Sequence, residues 1–285
     1  MLSIKVCVLA SGSKGNCVYL ENKNDKFLID AGISALRIKK SLATINRDIE
    51  DINAVFVTHE HSDHVRGVGV LTRRYNIPVY INKPTFDAIK HRLGKINQDN
   101  FIFIGNSNTN KNPNYCLPYK SSSSKNNSIT EFSVGNTLVK AVSKSHDAVL
   151  PLNFMFASAR KSFSVITDLG IADDNTALLL QESTAAAVEF NHDIDMLFNG
   201  PYPWPLKHRI NSSLGHLSNF DAANLVLNNG DTLKHLFFSH ISENNNTHDK
   251  VMQTFNALIA DKNSKFKNIN AFLTYQDIPT AYVRI

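Results

Sequence analysis

The chain has 285 residues, 42% of them hydrophobic, which is enough apolar material to bury a substantial core, so a globular protein is expected. A formal charge of +5 and a pI near 9.0 point toward an anionic partner such as nucleic acid, although an excess of merely solvated surface lysines gives the same figures. Cys7, Cys17 and Cys116 are too few and too dispersed for a disulfide framework, no apolar run approaches the roughly 20 residues of a membrane span, and the N-terminus lacks a secretory cleavage site, so a cytoplasmic, thiol-containing protein is expected.

In chain order, short β-rich runs stand at 4–10 (IKVCVLA), 26–30, 54–58 and 78–81, with helical spacing over 33–44 and 63–75. Residues 105–130 are rich in Asn, Ser and Lys and poor in aliphatics. Such a stretch buries too little apolar area to offset its ordering entropy and reads as a flexible surface insertion, a passive loop or a substrate lid. Further strands are expected at 101–104, 137–142, 153–158, 162–167, 186–190 and 235–240, with helices near 218–228 and 247–260. The pattern is that of a layered α/β protein, read as one domain over 1–285.

The stretch VTHEHSDHVRG (57–67) follows an apolar strand and crowds titratable groups at its end. Residues i and i+2 of an extended segment point the same way, so His59 and His61 can present ring nitrogens to one point. Asp63 and His64, in the turn that opens the next helix, diverge from that pair and suit a second ion. Imidazole with carboxylate is the ligand set expected for zinc, or for manganese or iron where carboxylate oxygen is more abundant. A lone histidine in a polar loop is usually only solvated; four ligand-type residues in His-x-His-x-Asp-His order argue for metal.

THEHSDH resembles the signature of the metallo-β-lactamase superfamily, whose four-layer αββα sandwich, an α/β (α+β) fold, holds one or two metals at its strand ends. The resemblance implies further ligands downstream: His146 in VKAVSKSHDA for the first metal, Asp168 in FSVITDLG as the bridge, and His240 in LKHLFFSHIS for the second. Asp30, in KFLIDAG, matches an aspartate that braces the site by hydrogen bonding. Taken singly, Asp30 and Asp168 also read as ordinary turn residues beside glycine. His235 is the rival to His240, while His91, His208 and His248 fit no ligand position. The segments ASGSKGNC, GPYPWPLKHRI, GHLSNFDAA and SHISENNNT further resemble the bacterial YycJ/WalJ-type branch, which implies 5′ to 3′ exonuclease activity on DNA with a duplex 5′ end as partner. Leu169, after the bridging aspartate, departs from the small polar residue usual there.

Two divalent ions, zinc or manganese, about 3.5–4 Å apart would lower the pKa of water enough to supply hydroxide near neutral pH and would polarise a phosphoryl oxygen. Asp63 and Asp168 are the carboxylates expected at that chemistry. His216, in SLGHLSN, resembles the substrate-side histidine of tRNA 3′-processing endonucleases, and Glu189 with His192 in VEFNHD matches their acidic motif. His216 is thereby expected to contact phosphate and assist the leaving group, supported by Glu189 or Asp193. Ser218 in the same segment is either a substrate contact or the cap of a helix starting at Asn219. Trp204, Lys207 and Arg209 suit base stacking and backbone neutralisation, with a core position for Trp204 as the alternative. Arg66, Arg73, Arg74, Lys39 and Lys40 either widen a basic face or are only solvated. The SGSKGN segment is a phosphate cradle or a connecting turn. Two other functional classes stay open: a hydrolase of small cyclic phosphodiesters, thioesters or lactones, and a metal-binding scaffold without catalysis.

Overall fold

The computed structural model describes residues 3–23, 25–105, 115–116, 129–261 and 265–285. The first sheet takes β1 (Ile4–Ala10), β2 (Cys17–Asn22), β3 (Asp25–Ile29), β4 (Ala54–Phe56), β5 (Val79–Asn82), β6 (Phe101–Ile104) and β7 (Tyr115–Cys116). The second takes β8 (Ile129–Val134), β9 (Thr137–Ser143), β10 (Leu152–Ser158), β11 (Lys161–Ile166), β12 (Ala185–Glu189), β13 (His235–Ser239) and β14 (Asn270–Leu273), while β15 (Val283–Arg284) returns to pair with β1. The strand orders are β15-β1-β2-β3-β4-β5-β6-β7 and β14-β13-β12-β11-β10-β9-β8. The described helices are α1 (Ala35–Ala43), α2 (Ser62–Val65), α3 (Val68–Tyr75), α4 (Lys83–Ile89), α5 (Asp174–Gln181), α6 (Ile194–Asn199), α7 (Trp204–Ile210), α8 (Asn219–Asn229) and α9 (His248–Asp261).

Strand periodicity divides the apolar residues into three cores. On β1, Val6 and Val8 face the second sheet while Cys7 and Leu9 face the helices, so both faces are buried and the strand reads as a continuous apolar run. Between the sheets Phe56 meets Phe27 edge-on at 5.2 Å and Phe156 at 4.9 Å and stacks on Tyr80 at 4.8 Å. Burial alone makes each such ring worth about 1.5–3 kcal/mol. Outside the first sheet lie Ile38 and Leu42 of α1, Val68 and Leu71 of α3 and Phe86 of α4. Outside the second lie Leu179 and Leu180 of α5, Val226 of α8 and Phe255 of α9. The result is the αββα sandwich.

Most expected elements stand within a residue or two of their positions, with one correction. The run 63–75 is two helices, because Gly67 presses its face against the preceding loop: its N–H donates to Ala31 O at 2.7 Å. A Cβ at Gly67 would meet Ile33 O at 2.5 Å. Most of 105–130 lies outside the described residues; Tyr115–Cys116 within it adds a short strand parallel to β6. No helix among the described residues is long and apolar enough to cross a membrane.

Candidate metal centre

Parallel strands place the chemistry-bearing residues together. Asp30 follows β3, His59 and His61 follow β4, Asp168 follows β11, Glu189 ends β12 and His240 follows β13, with His146 beyond β9. Asp30, Asp168 and His240 hold left-handed backbone, φ 57°, 54° and 54°. Side chains other than glycine adopt that conformation at a cost, about 1–3 kcal/mol, and it persists where surroundings fix it. Here Asp30 Oδ1 accepts from Thr58 N at 2.8 Å, and His240 N donates to Ser11 Oγ at 2.7 Å. His61 occupies the N-cap position of α2 without a capping bond, its ring turned to the centre instead.

Two groups of ligand atoms converge. His59 Nε2 and His146 Nε2 lie 3.1 and 3.3 Å from His61 Nδ1. Donors held tetrahedrally at about 2.0–2.1 Å from one zinc ion are separated by about 3.3–3.4 Å, so the spacing fits a shared cation. Beside them, His64 Nε2 lies 3.3 Å from both Asp63 Oδ2 and Asp168 Oδ2, and His240 Nε2 lies 3.3 Å from Asp168 Oδ1 and 3.8 Å from Asp63 Oδ2. Asp168 lies between the two: its carboxylate gathers with His59 and His64, and also with His240. Its Oδ2 and His240 Nε2 are buried without a hydrogen-bond partner among the described residues, as atoms reserved for a cation would be.

The far nitrogens of four rings are anchored to oxygen, which fixes ring orientation. His59 Nδ1 meets Thr58 Oγ1 at 2.9 Å, His64 Nδ1 meets Asp30 Oδ2 at 2.7 Å, His146 Nδ1 meets Gly215 O at 3.2 Å and His240 Nδ1 meets Glu189 Oε1 at 3.0 Å. Burial pushes His146 down to about 4 and His59 well below the usual range, keeping both rings in the neutral form that binds metal. Burial opposes charge on His240, but Asp168, Asp63 and Glu189 push it up to about 10: the carboxylates draw positive charge inward. Glu189, whose burial likewise disfavours charge, is held at about 2 chiefly by His216 and His240.

His216 Nδ1 donates to Glu189 Oε1 at 2.7 Å, leaving Nε2 for a substrate; Glu189 Oε2 takes Leu169 N at 3.1 Å and Leu217 N at 3.3 Å. The supporting acid is therefore Glu189. Asp193 instead caps α6 through Met196 N, and His192 turns toward Asn211. Two substrate expectations are corrected. Lys207 is 6% exposed and its Nζ donates to Phe198 O at 2.7 Å, so its charge faces inward. Ser218, 2% exposed, caps α8 by accepting from Asp221 N at 3.1 Å. Trp204 is 60% exposed and packs beside Phe198 and His208, so it does not fill the core. Arg209 lines the central cavity and pairs with Asp147. His235 starts β13, five residues and about 16 Å along the strand from His240, which removes it as a rival.

The SGSKGN segment is a turn that braces the centre. Gly15 N bonds Gly12 O at 3.1 Å and Lys14 N bonds Gln276 Oε1 at 2.8 Å, so these amides are spent, while Asn16 Nδ2 reaches Asp63 Oδ2 at 3.3 Å. Sequence reasoning also missed Lys144, a buried lysine whose Nζ donates to Thr167 O beside Asp168, and Asn191, whose Nδ2 meets His240 O at 3.0 Å. Ser13, Tyr202 and Asn245 complete the wall of a cavity of about 160 Å³ over the two groups.

An αββα sandwich with His and Asp ligands gathered at its strand ends defines a metallo-β-lactamase-type hydrolase, and the metallo-beta-lactamase superfamily model matches residues 10–122. The chain is 37% identical over 250 residues to exodeoxyribonuclease WalJ of Streptococcus pneumoniae, covering 86% of this chain and 84% of that one. It is 33% identical over 264 residues to exodeoxyribonuclease YycJ of Bacillus anthracis, covering 92% and 91%. The chain belongs to this WalJ/YycJ family and is a metal-dependent hydrolase. Solved structures with the same fold include YhfI of Bacillus subtilis (TM-score 0.66, 12% identity, 97% and 98% covered). Human short-form tRNase Z is a second (TM-score 0.63, 16% identity, 96% and 98% covered).

Proposed function

We propose that the chain is a DNA exonuclease that hydrolyses phosphodiesters from a duplex 5′ end in the 5′ to 3′ direction with two divalent ions, zinc or manganese. The observation that carries this reading is the pairing of two converging ligand groups with His216 on Glu189 at the mouth of the same cavity. The names of the relatives support DNA as substrate. His59, His61 and His146 would hold one ion and Asp63, His64 and His240 the other, with Asp168 between them. Bound there, the ions would supply Lewis-acid polarisation of a phosphoryl oxygen and a lowered pKa for water.

The protein's own groups complete the site. Glu189 accepts from His216 Nδ1 and so turns Nε2 toward the phosphate; as the imidazolium, which the Glu189 carboxylate would stabilise, His216 would give its Nε2 proton to the leaving oxygen and return to the neutral ring. Asp30 braces His64 through its Nδ1, and Thr58 braces His59. Trp204, exposed on α7, and Arg209 at the cavity wall are the groups for stacking and phosphate contact. Because residues from both sheets build one centre, 1–285 is read as a single domain, and a cytoplasmic location suits a DNA substrate. Incubation with a labelled duplex bearing a 5′ phosphate, with manganese, zinc or chelator, tests the reading. Metal-dependent release of nucleotides from the 5′ end is expected; cleavage only of bis-p-nitrophenyl phosphate or a cyclic nucleotide would replace it with a small-molecule hydrolase.

A further inference from the structure

We propose that Arg66, Arg73 and Arg92 form a second subsite, next to the metal centre, that grips a non-scissile phosphodiester of the substrate strand; this rests on the nuclease reading above. The three guanidiniums border a separate cavity of about 240 Å³ whose apolar wall includes Val65, Ile89 and Leu93. It adjoins the centre through adjacent residues: Ser62 lines this cavity and Asp63 lines the other. Two arginines also touch the loops that carry the centre. Arg66 Nη1 donates to Lys14 O at 3.3 Å, next to Ser13, and Arg92 Nη2 donates to Glu60 O at 2.9 Å, between His59 and His61.

Space for the third arginine is built into the backbone. Arg73 Nη1 donates to Leu93 O, and a Cβ on Gly69 or Gly94 would lie 2.9 or 2.7 Å from that nitrogen. Gly94 also holds φ 76°, which other residues rarely adopt. Among the described residues none of the three forms an ion pair with a carboxylate, whereas Arg37, Arg47 and Arg209 pair with Asp277, Glu21 and Asp147. A guanidinium carries five donors, and the bonds these three make among the described residues go to carbonyl oxygens. Three unneutralised like charges around one cavity favour an anion with several acceptor oxygens, and a phosphodiester matches the fork geometry. The apolar wall suits the adjoining sugar or base, and the neighbouring positions of Ser62 and Asp63 on the two cavity walls put that phosphate on the strand being cut.

The test compares wild type with Arg73→Gln, which lines the cavity but among the described residues bonds Leu93 O and not the loops of the centre, and with Arg74→Gln, which lies outside the cavity. Activity is followed on a 5′-phosphorylated duplex and on thymidine 5′-p-nitrophenyl phosphate over a range of salt. Arg73→Gln is expected to raise KM for the duplex about tenfold and to make its dependence on log salt shallower by about 0.7–0.9 for each phosphate that is no longer neutralised. Hydrolysis of the small ester, too short to span both cavities, is expected to stay within about twofold, which also reports an intact fold. Equal losses on both substrates, an unchanged duplex KM and salt slope, or the same effect from Arg74→Gln would each overturn the subsite. A wild type that cleaves the small ester and no nucleic acid would remove the nuclease reading itself and the subsite with it.

Discussion

Glu189→Gln isolates the group that organises the second half of the centre. The buried carboxylate takes four hydrogen bonds: His216 Nδ1 at 2.7 Å and His240 Nδ1 at 3.0 Å on one oxygen, Leu169 N at 3.1 Å and Leu217 N at 3.3 Å on the other. Glutamine has the same shape but one acceptor oxygen and an NH₂ group. Whichever way the amide turns, two donors face another donor. At about 1–3 kcal/mol for each buried donor left unsatisfied, the variant loses about 2–6 kcal/mol of stability. The anion that fixes His240 is lost as well, and removing such a brace typically costs about 10–100-fold in metal affinity or turnover. Burial works against the charge, yet His216 and His240 hold Glu189 at about 2, so it is ionised at every working pH. The deficit should therefore be flat from about pH 5 to 9, where a carboxyl raised toward neutrality by its burial would give a sloping one. Equilibrium dialysis with elemental analysis, together with kcat and a thermal melt, reads all three quantities. A variant that binds metal and turns over like wild type would refute the reasoning.

Gly32→Ala attacks the same centre sterically. A Cβ there would run into the carbonyl of Asp63, while Gly32 N and Asp63 O are both tied to Asn16 at 2.8 Å, so the loop cannot yield freely. Overpacking of about 1–3 kcal/mol is expected, and an Asp63 displaced by about 1 Å should lower turnover about 100-fold; unchanged kcat would contradict the packing. Far from the centre, Glu21 accepts from Arg47 Nε at 2.5 Å, Tyr282 at 2.5 Å, Lys5 at 2.9 Å and Tyr19 at 2.9 Å. Burial opposes its charge, but Arg47, Tyr282, Lys5 and Tyr19 hold its pKa well below the ordinary 4.5. A depressed folded-state pKa gives stability that is present above 4.5 and lost as pH falls below it. Wild type should lose about 1–3 kcal/mol over that acid range through this cluster, and Glu21→Gln should remove that part of the slope in pH-dependent melts. Identical slopes would assign the acid loss to other groups.

The metal centre was legible where ligands crowd together. His59, His61, Asp63 and His64 follow from spacing alone, whereas Asp30, His146, Asp168 and His240 are single residues at separate strand ends, and only the family resemblance picked them out. Charge misled at Lys207, because the carbonyl of Phe198 receives an ammonium that the sequence pattern places outside. Lys144 was invisible for the same reason. Strand β2 escaped because two of its polar residues are buried: Glu21 in its ion cluster and Asn22, whose Nδ2 donates to Thr137 Oγ1 at 2.9 Å. An alternation rule reads such residues as solvent-facing. The split between α2 and α3 depends on Gly67 touching a loop more than thirty residues earlier, a contact no local pattern encodes.

Anomalous diffraction from crystals grown with zinc or manganese tests the central claim most directly. Two peaks are expected, one bonded to His59, His61 and His146 and the other to Asp63, His64 and His240, with Asp168 reaching both. No peak, or peaks away from these side chains, would contradict the account.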